Sequence, residues 1–91
     1  MNVYPAEVER VLADAPGVQE VAVFGVDDEQ WGQRVCAAVV GDVDTEAVDA
    51  WARTRLAGHK RPKQYVVLDE LPYTATGKLR RNVLADRVDP G

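Results

Sequence analysis

Apolar residues along this chain recur with two periods, and each change of period predicts an element. Val8, Val11, Leu12 and Ala15 fall at i, i+3, i+4 and i+7, one face of a helix. Pro5 suits its first turn, Glu7 and Glu9 favour its N-terminal end, and Pro16-Gly17 stops it. Glu20 to Val26 then alternates as a strand, with Val21 and Val23 on one face and Ala22 and Phe24 on the other. A polar loop, Asp27 to Gly32, leads into a second strand, Gln33 to Val40, apolar on both faces from Val35 onward. So short a connection predicts an antiparallel hairpin. Gly41-Asp42-Val43 breaks the strand, and Asp44 or Thr45 can cap the next helix. Val48, Trp51, Ala52 and Leu56 form its buried stripe, and Gly58 ends it. A basic connector from His59 to Gln64 precedes a third strand, Tyr65 to Leu68. Leu79, Val83, Leu84 and Val88 give a last helix, 79–88, its apolar side.

The order α-β-β-α-β-α predicts an α+β fold, a small three-stranded sheet flanked by about three helices. Ninety-one residues make a single domain, 1–91, whose first helix starts so early that the domain looks cut close at its N-terminus. A chain this short does not hold a deep two-substrate site and a good core together. No apolar run approaches the length that spans a bilayer, and no secretory pattern precedes Asn2, so no membrane partner is expected. The lone Cys36 makes no internal disulfide, and its neighbours Val35, Ala37, Ala38 and Val39 mark a buried structural thiol. A reducing, cytoplasmic compartment follows as the expectation. The absence of isoleucine and serine beside abundant Val, Ala, Asp and Arg hints at a GC-rich bacterial genome.

Charge sharpens the picture. The net charge is −4, yet residues 1–52 carry two basic and eleven acidic side chains, and residues 53–87 carry nine basic and three acidic. The second half therefore faces an anion. Nucleic acid is disfavoured, because that half has no RNP-type aromatic pattern and no zinc motif, and the pI of 4.8 is acidic. A small phosphorylated ligand fits better.

The segment Leu71-Pro72-Tyr73-Thr74-Ala75-Thr76-Gly77-Lys78-Leu79-Arg80-Arg81 is the candidate site. Pro72 ends the strand, Gly77 permits a bend, and a flexible, glycine-hinged loop would bring Lys78 to a phosphate or carboxylate. An ordinary surface turn with solvated basic residues is the rival reading. A phosphate-cradling P-loop is excluded: Pro72 stands at the first glycine position and Leu79 at the magnesium-binding Ser or Thr. Lys60, Arg61 and Lys63 around Pro62 suit either a phosphate or a solvated face. Trp31 suits packing at a hairpin tip, or contact with a partner or a purine ring. His59 has no second histidine or cysteine near it, and Asp27-Asp28-Glu29 has no ligand spacing, so no metal is expected.

Three blocks carry a resemblance over nearly the whole chain. They are Asn2-Val3-Tyr4-Pro5-Ala6-Glu7-Val8-Glu9; Leu56 to Lys63 running into Val67-Leu68-Asp69-Glu70-Leu71-Pro72; and Pro72 to Arg81, which fits Pro-x-Thr-x-x-Gly-Lys-x-x-Arg. In these the chain resembles the small C-terminal lid domain of adenylate-forming enzymes, and in its first block the CoA synthetases more than the peptide-synthetase adenylation domains. The resemblance implies ATP-dependent activation of a carboxylate. An acyl-adenylate and pyrophosphate form first, and the thiol of CoA or of a carrier-protein phosphopantetheine then displaces AMP. Lys78 matches the family's catalytic lysine, supported by Thr74, Thr76 and Gly77. Lys60, Arg61 and Lys63 match a region near CoA phosphates in some members. ATP, its magnesium and the acid pocket belong to the large N-terminal domain, absent here, which would join this lid in cis or in trans, with a carrier protein as a further partner. The isolated chain is expected to hold no cofactor and to be inactive alone. Asp27 stands where many members have proline, and Gln33 where many have glutamate. A freestanding, non-catalytic interaction module derived from such a lid, using Trp31 and the basic face, is the alternative.

Overall fold

The computed structural model describes residues 5–30 and 32–88. In chain order it contains α1 (Pro5–Leu12), β1 (Val18–Asp28), β2 (Gly32–Gly41), α2 (Thr45–Arg53), a 3-10 turn (Gly58–Lys60), β3 (Gln64–Leu68) and α3 (Arg81–Val88). The sheet order is β1-β2-β3, with β1 antiparallel and β3 parallel to β2. Parallel strands need a crossover, and α2 supplies it. The α+β architecture and the order α-β-β-α-β-α are those read from the sequence.

β2 is central, and alternation sends its side chains to two cores. Cys36, Ala38 and Val40 join Ala22, Phe24 and Val26 of β1 against Leu68, Leu71 and Leu84, under α3. Ala37 joins Val23 against Val8, Leu12 and Ala15 on one side and Val48, Ala52 and Leu56 on the other, under α1 and α2. The sheet is thus covered by two helices on one face and one on the other. Cys36 is fully buried. Burial holds its thiol pKa above the ordinary value, and the Arg34 guanidinium only partly opposes that.

Boundaries depart from expectation where local bonding decides. β1 runs on through Asp27 and Asp28, which pair with Gln33 and Gly32. Asp28 is held there by its own bonds: Oδ2 accepts from Arg34 Nη1 at 3.2 Å and Oδ1 accepts from the Gln30 amide at 2.8 Å. α1 ends at Leu12, earlier than Pro16-Gly17, and looser turns carry Ala15 into the core. α2 ends at Arg53 rather than near Gly58, and backbone bonds to Ala52 O carry Leu56 inward. Asp44, not Thr45, is the cap, accepting from the Glu46 amide at 3.0 Å. Trp51 of α2 donates from Nε1 to Val11 O at 3.2 Å, and Arg55 lies 3.3 Å over its ring. No helix among the described residues is long and apolar enough to cross a membrane.

Candidate functional site

The chain leaves β3 at Leu68, turns under α3 at buried Leu71, and runs into a hairpin rather than an open loop. Tyr73 and Leu79 bridge as antiparallel partners. Thr74 N donates to Lys78 O at 2.7 Å, and Gly77 N to Thr74 O at 2.9 Å. At the base, Arg80 N donates to Pro72 O at 2.8 Å. That rung holds residue 79 in the hairpin and delays α3 to Arg81, two residues after the expected start at Leu79.

Thr74 is the residue that organises the tip. Its Oγ1 accepts from the Lys78 amide at 3.1 Å and lies 3.0 Å from Thr76 Oγ1. Gly77 has φ +88, and a Cβ there would meet nothing within 4 Å. Its role is therefore conformational, supplying the left-handed turn and no steric gap. The flexible glycine hinge read from the sequence is thus a hydrogen-bonded turn. It presents Lys78 as an exposed ammonium on a fixed stem.

Lys78 lines none of three recesses formed by the described residues. A recess of about 510 Å3 opens beside the hairpin, floored by Leu68, Leu71 and Leu84 and edged by Tyr73, Arg80 and Arg87. Lys78 does not line it. The arrangement places a point charge at the surface.

The second basic group is not brought to the first. Lys60, Arg61 and Lys63 precede β3 in the chain, whereas Lys78 lies on the hairpin that follows it. Five residues of strand span about 16 Å. Lys60 Nζ is 2.6 Å from Glu7 Oε1 of α1. Arg61 is half-buried, and its Nε has no hydrogen-bond partner among the described residues. Lys63 is exposed beside a shallow recess that also carries Glu46, Asp49 and Tyr65. Tyr65 donates its phenol to Asp49 Oδ1 at 3.4 Å, and burial followed by the Asp49 charge pushes its pKa well above the ordinary value. Two carboxylates at that recess weaken it as a phosphate site. His59 is exposed in the 3-10 turn. Trp31 lies outside the described residues, as do Asn2, Val3 and Tyr4 of the first sequence block.

Sequence reasoning missed how α1 reaches these elements. Glu9 Oε2 accepts from the Val23 amide of β1 at 2.8 Å and lies 3.6 Å from Arg81 Nη2 at the start of α3. Glu7 and Glu9 were legible only as acidic residues near a helix start. The charge imbalance between the two halves was the one signal of their pairing across the fold.

The sequence model of the AMP-binding enzyme C-terminal domain matches residues 7–78, and the chain belongs to that family. The 4-chlorobenzoate–CoA ligase of Pseudomonas sp. (strain CBS-3) is 51% identical over 92 residues, covering 96% of this chain and 17% of the ligase. Among solved structures, a fatty acyl CoA synthetase of Mycobacterium tuberculosis superposes with a TM-score of 0.89 at 41% identity, covering 99% of this chain and 18% of the other. Apo MatB from Rhodopseudomonas palustris gives 0.91 at 37%, covering 99% and 19%. The chain thus spans less than a fifth of the length of these relatives and matches their C-terminal domain.

Proposed function

We propose that residues 1–91 form the single lid domain of an ATP-dependent acyl- or aryl-CoA ligase, and that Lys78 is its catalytic residue. The observation that carries this is the hairpin itself: an exposed lysine on a turn fixed by Thr74 and Gly77. An adenylation N-terminal domain, in cis or in trans, would supply ATP, its magnesium and the acid pocket. In the first half-reaction a carboxylate oxygen bonds to the α-phosphorus while the bond to pyrophosphate breaks. The Lys78 ammonium offsets the negative charge that gathers there, and the closed lid keeps water from the adenylate. In the second, the thiolate of CoA or phosphopantetheine bonds to the acyl carbon and AMP leaves. Of the connector cations, Lys63 is the exposed one and would meet the thiol donor's phosphates.

The test replaces the C-terminal segment of the 4-chlorobenzoate–CoA ligase with this chain. 4-Chlorobenzoate-dependent ATP–pyrophosphate exchange is then compared with that of the truncated N-terminal domain. Exchange should be restored by the graft and fall about 100-fold or more with Lys78→Ala, the usual size of one lost charge-stabilising contact. A graft whose exchange is indifferent to Lys78→Ala overturns the role. A folded graft that restores no exchange favours the interaction module.

A further inference from the structure

We propose that Glu9 is a positioning residue for the Lys78 hairpin, acting through Arg81; this rests on the role given to Lys78 above. Among the described residues β1 is an edge strand, paired only with β2, so alternate amides on its outer side lack a sheet partner there. Glu9 Oε2 takes one of them, Val23 N, at 2.8 Å. The same oxygen lies 3.6 Å from Arg81 Nη2. Arg81 is the first residue of α3 and directly follows the Arg80–Pro72 rung that closes the hairpin. One carboxylate therefore ties the sheet edge to the point where the hairpin stem meets its helix.

An exposed ion pair is usually cancelled by the entropy of holding two long side chains. Here the Val23 amide already holds the carboxylate, and Glu9 is 24% exposed against 44% for Arg81. Only Arg81 has to be ordered. Glu7, the other carboxylate of α1, is engaged by Lys60 at 2.6 Å and does not compete for Arg81. On the hairpin side the stem has packing contacts through Leu79 and Leu71, but the tip from Thr74 to Lys78 is exposed throughout. A small rotation of the stem is therefore amplified at the Lys78 ammonium, where misplacement is costly to catalysis.

Glu9→Gln isolates the charge, because its amide oxygen still accepts from Val23 N. The first measurement is amide hydrogen exchange in the 91-residue chain for wild type, Glu9→Gln, Arg81→Gln and the double variant. Each single change should raise exchange at Thr74 and Arg80 about two- to fivefold, with no further rise in the double variant and none at Val48 in α2. The second uses the graft with 4-chlorobenzoate. Glu9→Gln should lower kcat for adenylate formation by a similar factor and leave KM for ATP within about twofold. Thioester formation from supplied 4-chlorobenzoyl-adenylate should be unchanged. Equal exchange in wild type and Glu9→Gln, a rise shared by Val48, additive single effects, or unchanged kcat overturns the assignment. Lys78→Ala, run alongside, separates the failures: if it is silent, the reading of Lys78 falls, whereas if it alone is deleterious, only the role of Glu9 falls.

Discussion

At the scale of single residues, three of the four described glycines with positive φ do two different jobs. A Cβ on Gly77 would meet open space, so substitution there costs conformational strain alone. Gly17 and Gly41 stand back to back where the chain enters β1 and leaves β2. A Cβ on Gly17 would lie 2.1 Å from Asp42 O, and one on Gly41 2.1 Å from Gly17 O. Gly77→Ala should therefore cost about 1 kcal/mol, and Gly77→Asn less, because Asn tolerates the left-handed region. Gly41→Ala should cost about 3 kcal/mol or more, since two backbones must part; urea unfolding of the three variants gives the comparison. Tyr65 supplies a pH dependence. Its folded pKa is raised above the ordinary 10.0 by burial first and by Asp49 second. Above pH 10 the unfolded chain loses this proton before the folded one does, so the phenol's contribution is whole below pH 10 and declines as pH rises toward the folded value. Tm should fall more steeply between pH 9.5 and 11.5 in wild type than in Tyr65→Phe, which has no proton to lose.

At the scale of elements, the helices differ in what holds them. α2 is capped by Asp44 and has Val48 and Ala52 fully buried, so Asp44→Ala should cost about 1 kcal/mol with the fold kept. α3 has one fully buried side chain, Leu84, which meets Phe24, Cys36 and Leu71 in the core beneath it. Leu84→Ala should cost about 2–5 kcal/mol and release α3, read as lost near-ultraviolet signal and faster exchange over 81–88 before the sheet opens. This contrast also explains what the sequence disclosed. The period-2 runs and the Val8–Leu12–Ala15 stripe are set by burial on two faces of one central strand, and burial is written in residue type. The helix ends were misplaced because single hydrogen bonds decide them: Arg80 to Pro72 draws Leu79 into the hairpin, and Leu56 reaches the core beyond the end of α2. The candidate lysine was legible from its motif. The hairpin that fixes it is closed by bonds among residues 72 to 80 that residue type alone does not announce, whereas the Glu9–Arg81 contact behind it joins side chains far apart in the chain and leaves no local trace.

At the scale of the whole molecule, the function proposed above assigns the two basic groups to different steps. Lys63 stands where the chain enters β3 and Lys78 on the hairpin beyond its exit, with about 16 Å of strand between the two segments. Under that proposal Lys78 serves adenylate formation and Lys63 the thiol step, and presenting them in turn would require the module to reorient against its partner. The sheet that joins them is packed on both faces, so the reorientation is rigid-body and no internal change is needed. Single substitutions should then separate the steps. In the graft, Lys78→Ala should depress ATP–pyrophosphate exchange while thioester formation from supplied 4-chlorobenzoyl-adenylate stays within a fewfold of wild type. Lys63→Ala should leave exchange unchanged and raise KM for CoA about three- to tenfold, the range for one partly solvated phosphate contact. Glu46 and Asp49 share the recess beside Lys63, so Glu46→Gln should shift that KM the opposite way. If Lys63→Ala slows both half-reactions equally, Lys63 and Lys78 do not divide the work, and the reorientation inferred from that division is wrong.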